Sequence, residues 1–192
     1  MPTSNMATCH DMIRIIDYIQ PKTVLDVGCG YGRWGYLVRE IMDIVHTRYA
    51  KETWQTIIDA VEIYAPYITP AHNYIYTKIY TEDIRTFNPN MVYDLIILGD
   101  IIEHLDKPEA QTVIDKLRPL CKNLIITTPN GYIPQGEVLN NPHEIHKCGF
   151  SQDEFIKQDA LVIDCGITFI AWFKRDKYER KDINSNSNKQ KA

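Results

Sequence analysis

Val24-Leu-Asp-Val-Gly-Cys-Gly-Tyr-Gly32 is the stretch that decides the fold. Four residues suited to a short buried strand run directly into three glycines at alternate positions, Gly28, Gly30 and Gly32. Just beyond them Trp34, Leu37, Val38 and Ile41 recur at the spacing of one helix face. Glycines let a backbone turn sharply and come close to a ligand, and a helix start offers unpaired N–H groups to an anion. The spacing is G-x-G-x-G. Arg33 stands where the dinucleotide fingerprint G-x-G-x-x-G has its third glycine, and no Gly-Lys-Ser/Thr follows, so a phosphate loop is excluded as well.

Working outward, Met12, Ile15, Ile16 and Ile19 form a helical stripe that Pro21 stops. Strands are expected at 57–63 and 76–80. Tyr93-Asp-Leu-Ile-Ile-Leu98 is an unbroken apolar strand, as expected where both sheet faces are covered. A helix over 108–117 precedes a fifth strand at 124–128, closed by Pro129-Asn130-Gly131. Ser151-Gln-Asp-Glu154 reads as a capping box opening the last helix. Two final strands, 160–165 and 168–173, turn at Gly166. Strand–helix alternation of this kind predicts an α/β fold, a predominantly parallel sheet with helices on both faces, closed by an antiparallel terminal strand.

The 192 residues suit one domain, 44% hydrophobic and 24% charged. The longest apolar run, 95–98 and 101–102, is broken by Gly99 and Asp100, far short of the ~20 residues of a membrane span. No charged-then-apolar signal segment opens the chain. Charge is uneven: residues 174–192 hold seven basic and three acidic side chains, so the rest carries −8 against a net −4 for the chain. Such an acidic body offers no broad footprint to a nucleic-acid backbone. Residues 182–192 lack the apolar content to fold and are expected to be a disordered tail to a single domain over 1–181. Five cysteines, odd in number and without C-x-x-C spacing, fit a reducing cytoplasm better than a disulfide framework or zinc ribbon.

Leu25-Asp-Val-Gly-Cys-Gly-Tyr-Gly32 resembles motif I of the class I S-adenosylmethionine-dependent methyltransferases. Val61-Glu-Ile63, Thr81-Glu-Asp-Ile84, the D-x-x-E-H-L ending at Asp100 to Leu105, and Thr127-Thr-Pro-Asn-Gly131 resemble later motifs in the family's order. The resemblance runs from about residue 21 to 157 and implies a Rossmann-like, seven-stranded sheet with S-adenosylmethionine as cofactor. It implies that Asp26, Gly28, Cys29, Gly30 and Gly32 cradle the methionine end. Glu62, with Ile63, would accept the ribose hydroxyls, Asp83 with Ile84 would receive the adenine amine, and Asp100 would help position the methionine end. Asp26 and Glu62 are 36 positions apart, where the acidic ribose partner usually follows the glycines by ~20. Residues 43–55, with Arg48, Tyr49 and Trp54, are therefore read as an insertion: a substrate lid, a dimer contact or packing.

Glu103, His104 and His146 are the candidate catalytic group. His104 or His146 could be a general base for a hydroxyl, since imidazole titrates near neutrality. Alternatively, two acids and two imidazoles bind a divalent cation: Asp100, Glu103, His104 and His146 resemble the metal quartet of small-RNA 3′-terminal 2′-O-methyltransferases, with Asp100 in place of Glu. In the third reading the imidazoles only orient loops. A metal is not expected. His10, His46 and His72 have no partner pattern and are read as surface, and His143 as loop or substrate-facing. Glu62-Ile-Tyr-Ala-Pro-Tyr-Ile68, Pro129-Asn-Gly-Tyr-Ile-Pro-Gln-Gly-Glu137 and Asn141-Pro-His-Glu-Ile-His146 resemble a group of small bacterial and viral methyltransferases. The 131–149 loop is read as a lid on the substrate opening. The leading expectation is a cytoplasmic O-methyltransferase of a small molecule or sugar. A metal-assisted enzyme acting on an RNA 3′ end and a non-catalytic cofactor-binding scaffold are the alternatives.

Overall fold

The computed structural model describes residues 3–175. Strands β1 (Thr23–Val27), β2 (Ile57–Val61), β3 (Lys78–Tyr80), β4 (Tyr93–Gly99) and β5 (Cys121–Pro129) run parallel. β7 (Thr168–Lys174) pairs antiparallel with both β5 and β6 (Leu161–Asp164). The order β3-β2-β1-β4-β5-β7-β6 makes a seven-stranded mixed sheet, as the residue pattern predicts.

Side-chain parity divides the core in two. Leu25, Val27, Ile96 and Leu98 pack on one face with α4 (Lys107–Leu117) and α5 (Gln152–Ile156). Val24, Leu95 and Ile97 face the other way, onto Met12 and Ile16 of α1 (Cys9–Ile19) and Trp34 and Val38 of α2 (Arg33–Arg39). That is why β1 and β4 read as unbroken apolar runs. Truncating any of these strand residues to Ala costs about 2–5 kcal/mol in comparable cores.

Two features depart from the sequence expectations. A helix, α3 (Pro70–Ile75), stands where none is expected, with Thr69 and His72 forming its capping box. Tyr76 caps its far end through an N–H bond to His72 O, so β3 starts at Lys78 rather than at 76. The 43–55 segment is organised by Asp43, which is fully buried. Its carboxylate meets Arg39 at 2.5 Å, Arg48 Nε at 2.8 Å and the Gln55 N–H at 2.8 Å. Trp54 stacks against Arg39, whose guanidinium lies 4.2 Å from the ring centre. Burial opposes the Asp43 charge, but those three donors outweigh it and hold the carboxyl below its ordinary range. The expected 182–192 tail lies outside the described residues, as do all the basic residues beyond Arg175. No helix among the described residues is long and apolar enough to cross a membrane.

Candidate functional site

From β1 the chain crosses to β2 on one side and later to β4 on the other. The crevice beyond the carboxyl ends of these strands is where open α/β sheets bind ligands. Here it holds a cavity of about 1030 Å³, counted out to its open mouth.

The glycine turn forms its floor. Gly28 N donates to Val61 O at 2.7 Å, joining the turn to β2. At φ +65° any side chain on Gly28 would be strained, and its Cβ, 2.0 Å from Ile101 Cδ1, would have to push that side chain aside. Cys29 and Gly30 also line the cavity. Burial, reinforced by Asp26 and Glu62, pushes the Cys29 thiol far above its usual range, so it stays protonated.

Glu62 follows β2 and is only 5% exposed. Its oxygens accept from Gly30 N at 2.9 Å and Tyr64 N at 2.8 Å, which fixes the carboxylate plane beside the cavity. Burial raises its pKa and those two N–H groups lower it, with a net rise. Ile63, Asp83 and Ile84 also line the wall. Asp83 is held by Arg85, with Nη2 at 2.6 Å and Nε at 2.9 Å, and that guanidinium keeps its carboxyl below the ordinary range.

Two of the expected cradle residues sit elsewhere. Asp26 is fully buried and lies off the cavity wall. Its Oδ2 accepts from the Tyr76 hydroxyl at 2.6 Å and from Gly35 N at 3.1 Å, so it braces the turn from beneath. Gly32 also lies off this cavity and opens α2 at φ +83°. His72 is the opposite case. Read as surface, it is 2% exposed, with Nε2 2.8 Å from Gly30 O.

Asp100 lines the cavity with φ +54°. Its carboxylate accepts from Asn5 N at 2.9 Å and Thr127 Oγ1 at 2.9 Å. The Asn5 contact ties down an N-terminal segment that the sequence reading missed. Ser4 Oγ accepts from Trp34 Nε1 at 2.9 Å, Ser4 O accepts from Arg33, and Thr3 and Ser4 join the cavity wall.

Glu103, His104 and His146 come together: one ligand atom of each lies within 4.8 Å of the other two. Asp100 does not join them, so the quartet of the RNA-methylating resemblance is a trio here. His104 Nδ1 lies 3.3 Å from Ile145 O and His146 Nδ1 2.6 Å from Ile133 O. A carbonyl only accepts, so each ring donates from Nδ1, and in the neutral imidazole Nε2 is then the acceptor. Burial, and then His146, hold the His104 imidazole below its ordinary range. Glu103 is 1% exposed. Its Oε2 accepts from Thr128 Oγ1 at 3.1 Å, while Oε1 is buried without a hydrogen-bond partner. Burial, with Asp100 adding to it, pushes this carboxyl well above the carboxylate range. His104 faces the cavity, while Glu103 and His146 lie off its wall.

The 131–149 loop reaches the cavity through Asn141, Pro142, His143, Glu144 and Lys147. It is tied to the segment after β2 by the Tyr67 hydroxyl, which donates to Glu144 Oε1 at 3.1 Å. The short apolar pattern around Tyr64 and Tyr67 gave no sign of that latch.

A family model described as a methyltransferase domain matches residues 8–158. No curated protein matches the sequence. Solved structures share the fold at low identity. A DhpI–SAH complex superimposes with TM-score 0.63 at 12% identity, over 87% of this chain and 84% of that one. The methyltransferase domain of bacterial CtHen1-CN gives 0.61 at 16%, over 89% and 99%. The Burkholderia thailandensis 1,6-didemethyltoxoflavin-N1-methyltransferase, with its substrate and S-adenosylhomocysteine bound, gives 0.56 at 15%, over 88% and 84%.

Proposed function

The chain belongs to the methyltransferase-domain family, and from that premise we propose that it transfers a methyl group from S-adenosylmethionine to an oxygen of a small molecule or sugar. One observation carries the choice of acceptor. Among the described residues the cavity is lined by five carboxylates, Glu62, Glu82, Asp83, Asp100 and Glu144, against three cations, Arg33, Arg85 and Lys147. Taken with its cofactor-facing acids, the wall has no surplus of positive charge to draw in a polyanion, which favours a neutral hydroxyl compound.

The residues fit the cofactor. Gly28 leaves backbone uncovered at the cavity floor, where any side chain would strike Ile101. Glu62, oriented by two N–H donors, keeps a further lone pair on each oxygen for the paired ribose hydroxyls. Asp83, fixed by Arg85, presents an acceptor for an exocyclic amine. When bound, the cofactor supplies an electrophilic methyl on a cationic sulfur. The protein's part is then alignment, exclusion of water and removal of one proton. His104 Nε2, unprotonated and on the cavity wall, takes the proton of the acceptor hydroxyl. Ile145 O, which accepts from Nδ1, and the edge-on ring of His146 hold the imidazole.

Titration calorimetry with S-adenosylhomocysteine, followed by methylation assays on hydroxylated small molecules, tests the proposal. No binding of either form of the cofactor would end it.

The clustering of His104 and His146 beside Glu103 favours a second reading. These residues suit a divalent cation, which would lower the pKa of an acceptor hydroxyl, as on an RNA 3′ end. Glu103, His104 and His146 would hold it. Activity unaffected by a chelator would reject this reading, and activity restored by Mn²⁺ or Mg²⁺ after chelation would favour it over the first.

A further inference from the structure

We propose that His72, outside the cavity wall, is the positioning residue that keeps the cofactor-binding turn in shape by donating a hydrogen bond to the Gly30 carbonyl.

The tautomer follows from the capping box. Thr69 N lies 3.1 Å from His72 Nδ1. A backbone N–H only donates, so Nδ1 accepts and the ring proton resides on Nε2. That proton meets Gly30 O at 2.8 Å. Gly30 N is held at 2.9 Å by Glu62. Both polar groups of Gly30 are therefore fixed, one from β2 and one from α3. At φ +52° a glycine has no side chain to bias its neighbouring peptides, so these two bonds decide which way they face. Gly30 lines the cavity and His72 does not, so the bond fixes from outside the site the peptide that joins Gly30 to Tyr31. A flip of that peptide would shift the turn that carries Cys29 and Gly30 on the cavity wall.

The sequence makes room for this contact. A Cβ on Gly32 would approach His72 Nε2 to 3.3 Å, and one on Gly35 would lie 2.3 Å from the Tyr76 ring. These two glycines admit α3, not the ligand. Tyr76, one turn after His72, adds its own bond to Asp26 at 2.6 Å. The same short helix thus grips the turn at Gly30 and at the strand leading into it.

This inference rests on the cofactor reading, since it assigns His72 to that site. His72→Asn keeps an acceptor for Thr69 but is too short to reach Gly30, while His72→Gln restores an amide N–H at the reach of Nε2. S-adenosylhomocysteine should bind about tenfold more weakly to the Asn variant, the loss of one buried hydrogen bond. The Gln variant should return to within about threefold. Both should melt alike. Nitrogen NMR of the unaltered, ligand-free protein should show His72 as the Nε2–H tautomer. Wild-type binding with equal affinity in the Asn variant would overturn the clamp alone, as would an Nδ1–H tautomer. Failure of the unaltered chain to bind S-adenosylhomocysteine would overturn the cofactor reading and the clamp's role with it.

Discussion

Replacing Asp26 with Asn isolates what one buried charge does to this fold. Asp26 is 0% exposed. Burial lifts its carboxyl from 3.8 to about 6, even though the Tyr76 hydroxyl and the Gly35 N–H pull the other way. In the unfolded chain it titrates near ~3.9. The folded state therefore holds the proton more tightly. The stability Asp26 contributes is whole below about pH 4 and is lost as the pH climbs through about 6. A shift of about two units at ~1.4 kcal/mol each amounts to roughly 3 kcal/mol at neutral pH. Asn keeps the shape and an acceptor but carries no charge, so its curve lacks this slope. Between about pH 4 and pH 7.5 the variant should gain about 2–3 kcal/mol on the native chain, or ~5–10 °C in Tm for a domain of this length. Urea melts at a series of pH values measure it. Any fixed cost of the Asn amide cancels, because only the change with pH counts. Parallel curves across that range would refute the reasoning.

Further outcomes follow from other parts of the site. Glu62→Ala should weaken S-adenosylhomocysteine binding by about 10–100-fold, because a charged acceptor for two hydroxyls is lost; unchanged affinity in calorimetry would remove Glu62 from the site. His104→Ala should lower kcat by about 10²–10⁴ while cofactor affinity stays within about threefold, which single-turnover kinetics and calorimetry separate. Asp43→Ala leaves the Arg39 guanidinium buried beside a missing partner and should cost about 3–5 kcal/mol in denaturant melts, with cofactor affinity in the folded fraction unchanged.

The glycine turn and the apolar strands were legible because their signals are local. Val24 to Val27 is followed at once by glycines, and β4 is apolar on both faces. The acidic positions after β2 and β3 were picked out by their resemblance to the methyltransferase motifs rather than by any local pattern of their own. Helix α3 was not legible, because six residues carry too little periodicity and its capping box uses His72 where Glu or Gln is the familiar partner. Missing that helix also hid His72 and Tyr76, whose partners lie 42 and 50 positions away in the chain. The burial of Asp26 was illegible for a related reason. A strand-end carboxylate beside glycines looks the same in sequence whether it lies at the surface or in the core, and its partners Tyr76 and Gly35 are set by the fold.

The Asp43 hub bears on how such a chain can vary. Its partners Arg39, Arg48 and Gln55 all lie within a dozen positions of it. The segment between α2 and β2 is thus gathered around one buried carboxylate, braced against α3 by the Trp54–Tyr74 contact and the Lys51 bond to Asn73 O, and leaves the cavity wall untouched. Doubling the length of a loop costs only ~0.6 kcal/mol in closure entropy. With its ends fixed in this way, the exposed part of the stretch is where added residues would cost least. Length could vary there while Glu62 kept its place at the end of β2.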